Sequence, residues 1–453
     1  MAGMTTTRQR IQHLLRRAGF GYSASELAEY VSLGLDGAVE RLLRPERVED
    51  SALDAALLPV QAVFDAGGDL RDPEVQRAQR DALWKAWYLR LTLSRRPLQE
   101  RMTYFWHDHF ATGIGKVNNP SFMHQQNALL RGHALGSFRE LLLGVARDPA
   151  MLVYLDNRSN TRQAPNENYA RELLELHTLG EGNGYTEHDI REAARALTGW
   201  RIEENQQSGF RPALFDPGRK TVLGQTGNFN NAQLIALIAR HPPVGPYIVD
   251  KLVRAFVRPE GDATLTARAA ATFARTDGAI AEVMRVILLS DEMYAPSAYR
   301  AIIKSPTEII VGAKRALELT PDGRTELDLS TRMGQRVYDP PNPAGWTGGE
   351  AWLNATTMLT RSNFIAQLTA MGGPSAADIP ALLRRHGATG SAATVVDWVL
   401  DLLVGGDVDA PSRQVLIDHI GGDAHFNFDR AAREGTLHGL VYLAMCMPLY
   451  QVA

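Results

Sequence analysis

Apolar residues recur at three- and four-residue spacing through most of the chain, the period of a helix with one buried face. The stretch SASELAEYVSLGLDGAVERLL, residues 23–43, keeps that spacing and opens with Ser23 and Glu26 in capping-box positions. The same pattern predicts helices over 74–94, 97–111, 119–131, 136–147, 166–179 and 186–198. It continues over 231–240, 245–257, 264–275, 278–290, 305–318, 355–371, 392–404, 411–419 and 434–446. Alternating, strand-like patterns are scarce. GFRPALFDPGRKTVLG suggests a β-hairpin near 209–223, with Asp216-Pro217-Gly218 as its turn. The fold class expected is mostly α, a large multi-helical protein with that one small β excursion. At 453 residues the chain exceeds what one core usually supports, so two packed helical subdomains are expected. Pro242-Pro243 interrupts the pattern and places their boundary at 1–240 and 241–453. Tyr338–Trp352, YDPPNPAGWTGGEAW, reads as a loop that its two tryptophans pack onto the body.

Composition changes this picture little. A hydrophobic fraction of 45%, 22% charged residues and a net charge of −3 describe a soluble globular protein with no basic patch for nucleic acid. The single cysteine, Cys446, excludes an intramolecular disulfide and any cysteine-based metal cluster. No apolar run approaches the ~20 residues that span a bilayer. The first residues lack the apolar core of a secretory signal, so the chain reads as cytoplasmic as given, or exported if a leader has been removed. Arg16-Arg17 falls within an amphipathic pattern and is read as helix surface.

Candidate chemistry concentrates in PNENYARELLELHTLGEG, residues 165–182. At roughly 100° per residue from Asn168, Glu172 lies at about 40° and Glu175 at about 340°, on one face. His177, at about 180°, points into the apolar face instead. The carboxylate pair is either a solvated face or the lining of a cavity that holds a cation or a shared proton. His177 is either a ligand or a hydrogen-bonded core histidine. Asn166, after Pro165, is placed to cap the helix. In PLQERMTYFWHDHFATG, His109 falls inside the apolar arc and His107 outside it, so both serve one site only if the helix ends or distorts there. Thr186 and Asp189 occupy capping-box positions on the next helix, where Glu187 and Arg191 are spaced as an outer ion pair. Nucleophile-elbow, P-loop, dinucleotide-binding and H-E-x-x-H motifs are absent from the sequence, as are the Glu-x-x-His pairs of a di-iron bundle.

The strings HLLRRAGFG, FWHDHFATG, RDPAMLVYLDN, PNENYARELLELHTLG, YTEHDIREAARALTGW and PPNPAGWTGGEAW, in this order, resemble the bacterial domain of unknown function 1800 family. The resemblance runs from about residue 8 to the end and implies no established activity. It places the family signature on His107, His109, Asn166, Glu167, Glu172, Glu175 and His177. Members often carry export signals and are encoded beside a protein resembling the sulfatase and phosphatase superfamily, which makes such a neighbour a candidate partner.

Two functions follow as expectations. One is a metal-dependent enzyme, a hydrolase acting on a small molecule or polymer, with its site between helices 97–111 and 166–179. There His107, His109, Glu172, Glu175 and His177 would hold a divalent cation, and Glu172, Glu175, His177 and Asn166 would act in catalysis. The other is a non-catalytic helical scaffold or partner-binding protein whose buried polar network is structural.

Overall fold

The computed structural model describes residues 4–373 and 375–453. The chain is 63% helical, and its strands form only two small two-stranded antiparallel sheets among the described residues. The mostly α expectation therefore holds.

Most predicted helices lie within a few residues of their expected bounds, among them Pro73–Leu93, Pro97–His109, Pro120–Gly132, Val244–Phe256 and Ala392–Val404. Local chemistry sets their ends. The Ser23–Glu26 and Thr186–Asp189 capping boxes both form, each satisfying backbone N–H groups that a helix start leaves free. The 23–43 stretch divides into two helices at Gly34, whose φ of +68° disfavours a side chain. The periodicity missed Ser51–Asp65, which carries Pro59 in its interior, and the short polar helix Arg324–Arg332.

The extended segments pair differently in detail from the expected hairpin. Strand β1, Trp200–Ile202, pairs with β2, Ser208–Phe210; β3, Lys220–Val222, pairs with β4, Gln225–Gly227. The Asp216-Pro217-Gly218 turn lies between the two sheets. Arg195 holds it there by donating to Asp216 from Nε at 2.7 Å.

One continuous apolar cluster runs from Met4 to Tyr450 and takes in Trp106, Phe110, Leu173, Ile248 and Leu400. A second gathers Trp87, Tyr88, Phe122 and Tyr338 under the Pro73–Leu93 helix. The Pro97–His109 helix stands between them: Leu98, Met102 and Trp106 belong to the first cluster, while His107 meets Trp87 and Tyr338 of the second. The Arg16-Arg17 surface reading is corrected. Both side chains are buried, Arg17 at 0% exposure, because the Thr7–Arg17 helix ends inside the body and not on it.

Candidate functional site

The Asn168–Leu174 helix does not continue as an α-helix to Leu179. Residues Glu175–Leu179 form a π turn, closed by the Gly180 N–H donating to the Glu175 carbonyl at 3.0 Å. Such a turn frees carbonyls from the regular ladder, and buried carbonyls need donors. Side chains from elsewhere supply them. Tyr247 donates its hydroxyl to the Leu176 carbonyl at 2.9 Å, and Asn183 donates from Nδ2 to that of Leu179 at 2.8 Å. His109 Nε2 lies 3.1 Å from the His177 carbonyl. A carbonyl only accepts, so this ring carries its proton on Nε2.

His177 itself is fully buried, with neither ring nitrogen hydrogen-bonded. Its ring centroid is 6.0 Å from that of His109 and 5.1 Å from that of Phe110. Burial, and secondarily Lys251, pushes it down to about 3, so it is neutral. No carboxylate acts on it. His109 is likewise held well below the ordinary histidine range, first by burial and then by Lys251.

His107 points elsewhere. Its Nε2 accepts the Tyr338 N–H at 3.1 Å, and its ring sits edge-on to Trp87, centroids 4.6 Å apart. Burial alone pushes it down to about 3. Tyr338, at a φ of +63°, also accepts the Ile114 N–H on its carbonyl at 2.7 Å, which ties the proline-rich loop to the chain leaving the helix. That loop returns at Trp346, whose N–H donates to Asp108 Oδ1 at 2.9 Å. Burial pushes Asp108 up to about 6, against the Trp346 N–H and the charge of Lys251.

Glu172 and Glu175 sit on the half-buried flank of their helix. Glu172 is raised first by burial and then by the Glu175 charge, with Arg171 opposing. Arg171 itself forms a fork with Glu187, at 2.8 and 2.7 Å, and reaches Glu167 at 3.6 Å. Glu187 is thus taken by Arg171 in place of the expected Arg191. The N-cap position falls on Glu167, with no side-chain cap bond, and not on Asn166 as expected. Asn166 Oδ1 accepts the Asn168 N–H at 3.0 Å from just outside the helix, and its Nδ2 donates to the Asp156 carbonyl at 3.2 Å.

His109 and His177 therefore meet, while His107 enters the other core and Glu172 and Glu175 remain on the flank. Among the described residues, no group of three or more His, Cys, Asp or Glu side chains is placed to hold a metal ion. The metal-dependent hydrolase expected from the sequence is corrected on that ground: the five intended ligands divide among three environments, and the ring nitrogens of His107 and His109 that make hydrogen bonds are engaged by backbone. The sequence reading passed over Asp108, Tyr338 and Lys251. Asp108 lies inside the FWHDHF string and could have been found there; Lys251 is an ordinary lysine in an amphipathic pattern, with no local signal.

The sequence model of the family described as "Protein of unknown function (DUF1800)" matches residues 13–452. The chain belongs to this family. Neither the curated proteins nor the solved structures contain a match. The DUF1800 match begins within the Thr7–Arg17 helix and runs to residue 452. No helix among the described residues is long and apolar enough to cross a membrane.

Proposed function

We propose that this DUF1800 chain is a non-catalytic helical scaffold or partner-binding protein, in which the signature residues fix how the helices pack. One observation carries the reading. Two of the three signature histidines are buried and bonded to backbone: His107 accepts the Tyr338 N–H, and His109 donates to the His177 carbonyl in the last turn of its helix. Asn166 joins the start of its helix to the Asp156 turn, which Lys116 grips at 2.7 Å. Together these bonds connect the Pro97–His109 helix, the Asn168–Leu179 segment and the proline-rich loop. Buried hydrogen bonds that join elements in this way specify a packing arrangement.

Thermal unfolding of His107→Ala and His109→Ala beside Glu172→Gln tests the proposal. A scaffold loses several degrees of Tm in each histidine variant and almost nothing in the glutamate one. Histidine variants that melt with the parent protein would remove the structural role and the reading with it.

A further inference from the structure

The Thr7–Arg17 helix carries its last two arginines into a buried, strongly cationic region. Arg16 donates from Nη2 to the Tyr22 hydroxyl at 2.9 Å. Arg17, at 0% exposure, donates to the Ala298 carbonyl, and its Nε and Nη1 have no partner. Arg361, also at 0%, donates to the Gln451 side chain at 2.9 Å and to the Lys304 carbonyl at 3.0 Å, with Nε unpartnered. Lys304 donates from Nζ to the Tyr450 carbonyl at 2.8 Å.

The carboxylates nearby are already engaged. Glu308 pairs with Arg101 at 2.7 Å, and its Oε2 also accepts the Ser305 N–H at 2.9 Å. Asp401 pairs with Arg8, and Asp407 lies 3.8 Å from Arg300. Among the described residues this leaves Arg16, Arg17, Lys304 and Arg361 with neutral acceptors only. The Glu308 charge acts on Arg17, Lys304 and Arg361 but is one against four. Buried charge incompletely balanced is costly, because carbonyl and hydroxyl dipoles replace hydration incompletely. Burial depresses Lys304 to about 7 and Arg17 to about 9, which expresses that cost.

A cavity of about 30 Å³ opens beside this cluster, lined by Arg16, Tyr22, Lys304, Glu308 and Tyr450, with Arg17 and Arg361 behind its walls. A single water needs about 10–15 Å³ on that measure. The space therefore suits a small ion and excludes a nucleotide or sugar phosphate. We propose that this cavity binds one small inorganic anion, with Arg16 and Lys304 as its cationic walls, Tyr22 as a hydroxyl donor, and the Glu308 carboxylate as the one negative wall, its charge shared with Arg101. The anion adds negative charge to a cluster of four cations that has only Glu308, already paired with Arg101, to balance it. This site is separate from the His107–His109–His177 network and does not depend on the scaffold reading.

The test titrates sodium phosphate, sulfate and chloride separately into the full chain at constant ionic strength, balanced by a bulky organic anion too large for the cavity. Tm is followed throughout. A bound ion raises Tm by a few degrees, in logarithmic dependence on concentration above a defined midpoint. Kosmotropic salts stabilise most proteins without a site, so the deciding comparison is Arg16→Met and Lys304→Met, in which that dependence disappears. Calorimetric titration of the unaltered chain with phosphate, sulfate and chloride covers the case in which those variants fail to fold, and Arg16→Lys, which keeps the charge, retains binding. A response that rises without a midpoint equally in parent and variants, or no heat with any of the three ions, overturns the proposal.

Discussion

His109 donates from Nε2 to the backbone carbonyl of His177, 3.1 Å away, and so caps a helix to which it does not belong. Removing it leaves a buried carbonyl without a donor and opens a void beside Trp106 and Phe110. His109→Ala is expected to cost about 2–4 kcal/mol of unfolding free energy, measured by urea denaturation. His109→Gln, which can offer an N–H toward the same carbonyl, recovers part of the loss. A loss below about 0.5 kcal/mol would show that the bond carries no weight.

His177 gives the opposite result. Its ring nitrogens are buried and unpaired, so His177→Phe removes an unsatisfied polar group while keeping a ring beside Phe110. At pH 7.5 the variant is expected to match the parent within about 1 kcal/mol or exceed it.

The pH dependence has a definite sign. His177 and His107 titrate near 3 when folded against 6.5 when unfolded. Their neutral forms suit the fold, so stability is complete above 6.5 and declines as pH falls from 6.5 toward 3. At pH 5 each costs about 2 kcal/mol relative to pH 7.5. Asp148, raised to about 7 by burial, acts in the other direction. It does so equally in parent and His177→Phe, and cancels in their difference. That difference should move by about 2 kcal/mol in the variant's favour between pH 7.5 and 5. An unchanged difference, measured by denaturation at both pH values, would mean that His177 ionises freely in the fold.

Gly345 and Gly349 lie in one loop and respond differently to alanine. Both have positive φ, +85° and +57°. A Cβ on Gly345 would collide with Asp108 Oδ1 and stand 2.8 Å from the Asp108 carbonyl, whereas one on Gly349 meets nothing within 4 Å. Gly349→Ala is expected to cost about 1 kcal/mol from backbone conformation alone. Gly345→Ala additionally separates the loop from Asp108, with a larger loss of Tm and altered Trp346 fluorescence. Equal Tm values for the two would contradict the close approach.

Glu172→Gln removes a half-buried carboxylate that burial and Glu175 already disfavour. Its folded pKa is raised, so the charged form costs a little stability at neutral pH and the substitution relieves that cost. Solvent screening at this partly exposed position keeps the gain within about 0.5 kcal/mol. A drop in Tm of several degrees would instead place this side chain inside the supporting network.

Local rules carried the sequence reading a long way and failed where partners are distant. Helix spacing and the Ser23–Glu26 and Thr186–Asp189 boxes depend on residues within one or two turns, and they form as expected. The inward direction of His109 and the divergence of His107 follow from helix phase. Phase also placed His177 on the buried side, but it gave no sign that the helix widens into a π turn at Glu175. Arg16 and Arg17 read as surface because nothing nearby shows that their helix ends inside the body. Trp346 reaches Asp108 across more than two hundred residues, a pairing that periodicity does not encode.

The wide turn at Glu175–Leu179 makes residue number as restrictive as residue identity. Deleting Leu176 would return the segment to four-residue bonding, yet it would also swing Gly180 from beneath Tyr247, whose ring carbons lie 3.0 Å from where a Cβ would stand. It would carry the 177 carbonyl away from the imidazole that meets it. A polar exchange in this stretch can be absorbed by a neighbour's adjustment; a change of length shifts three anchored positions together, and no single neighbour can follow them.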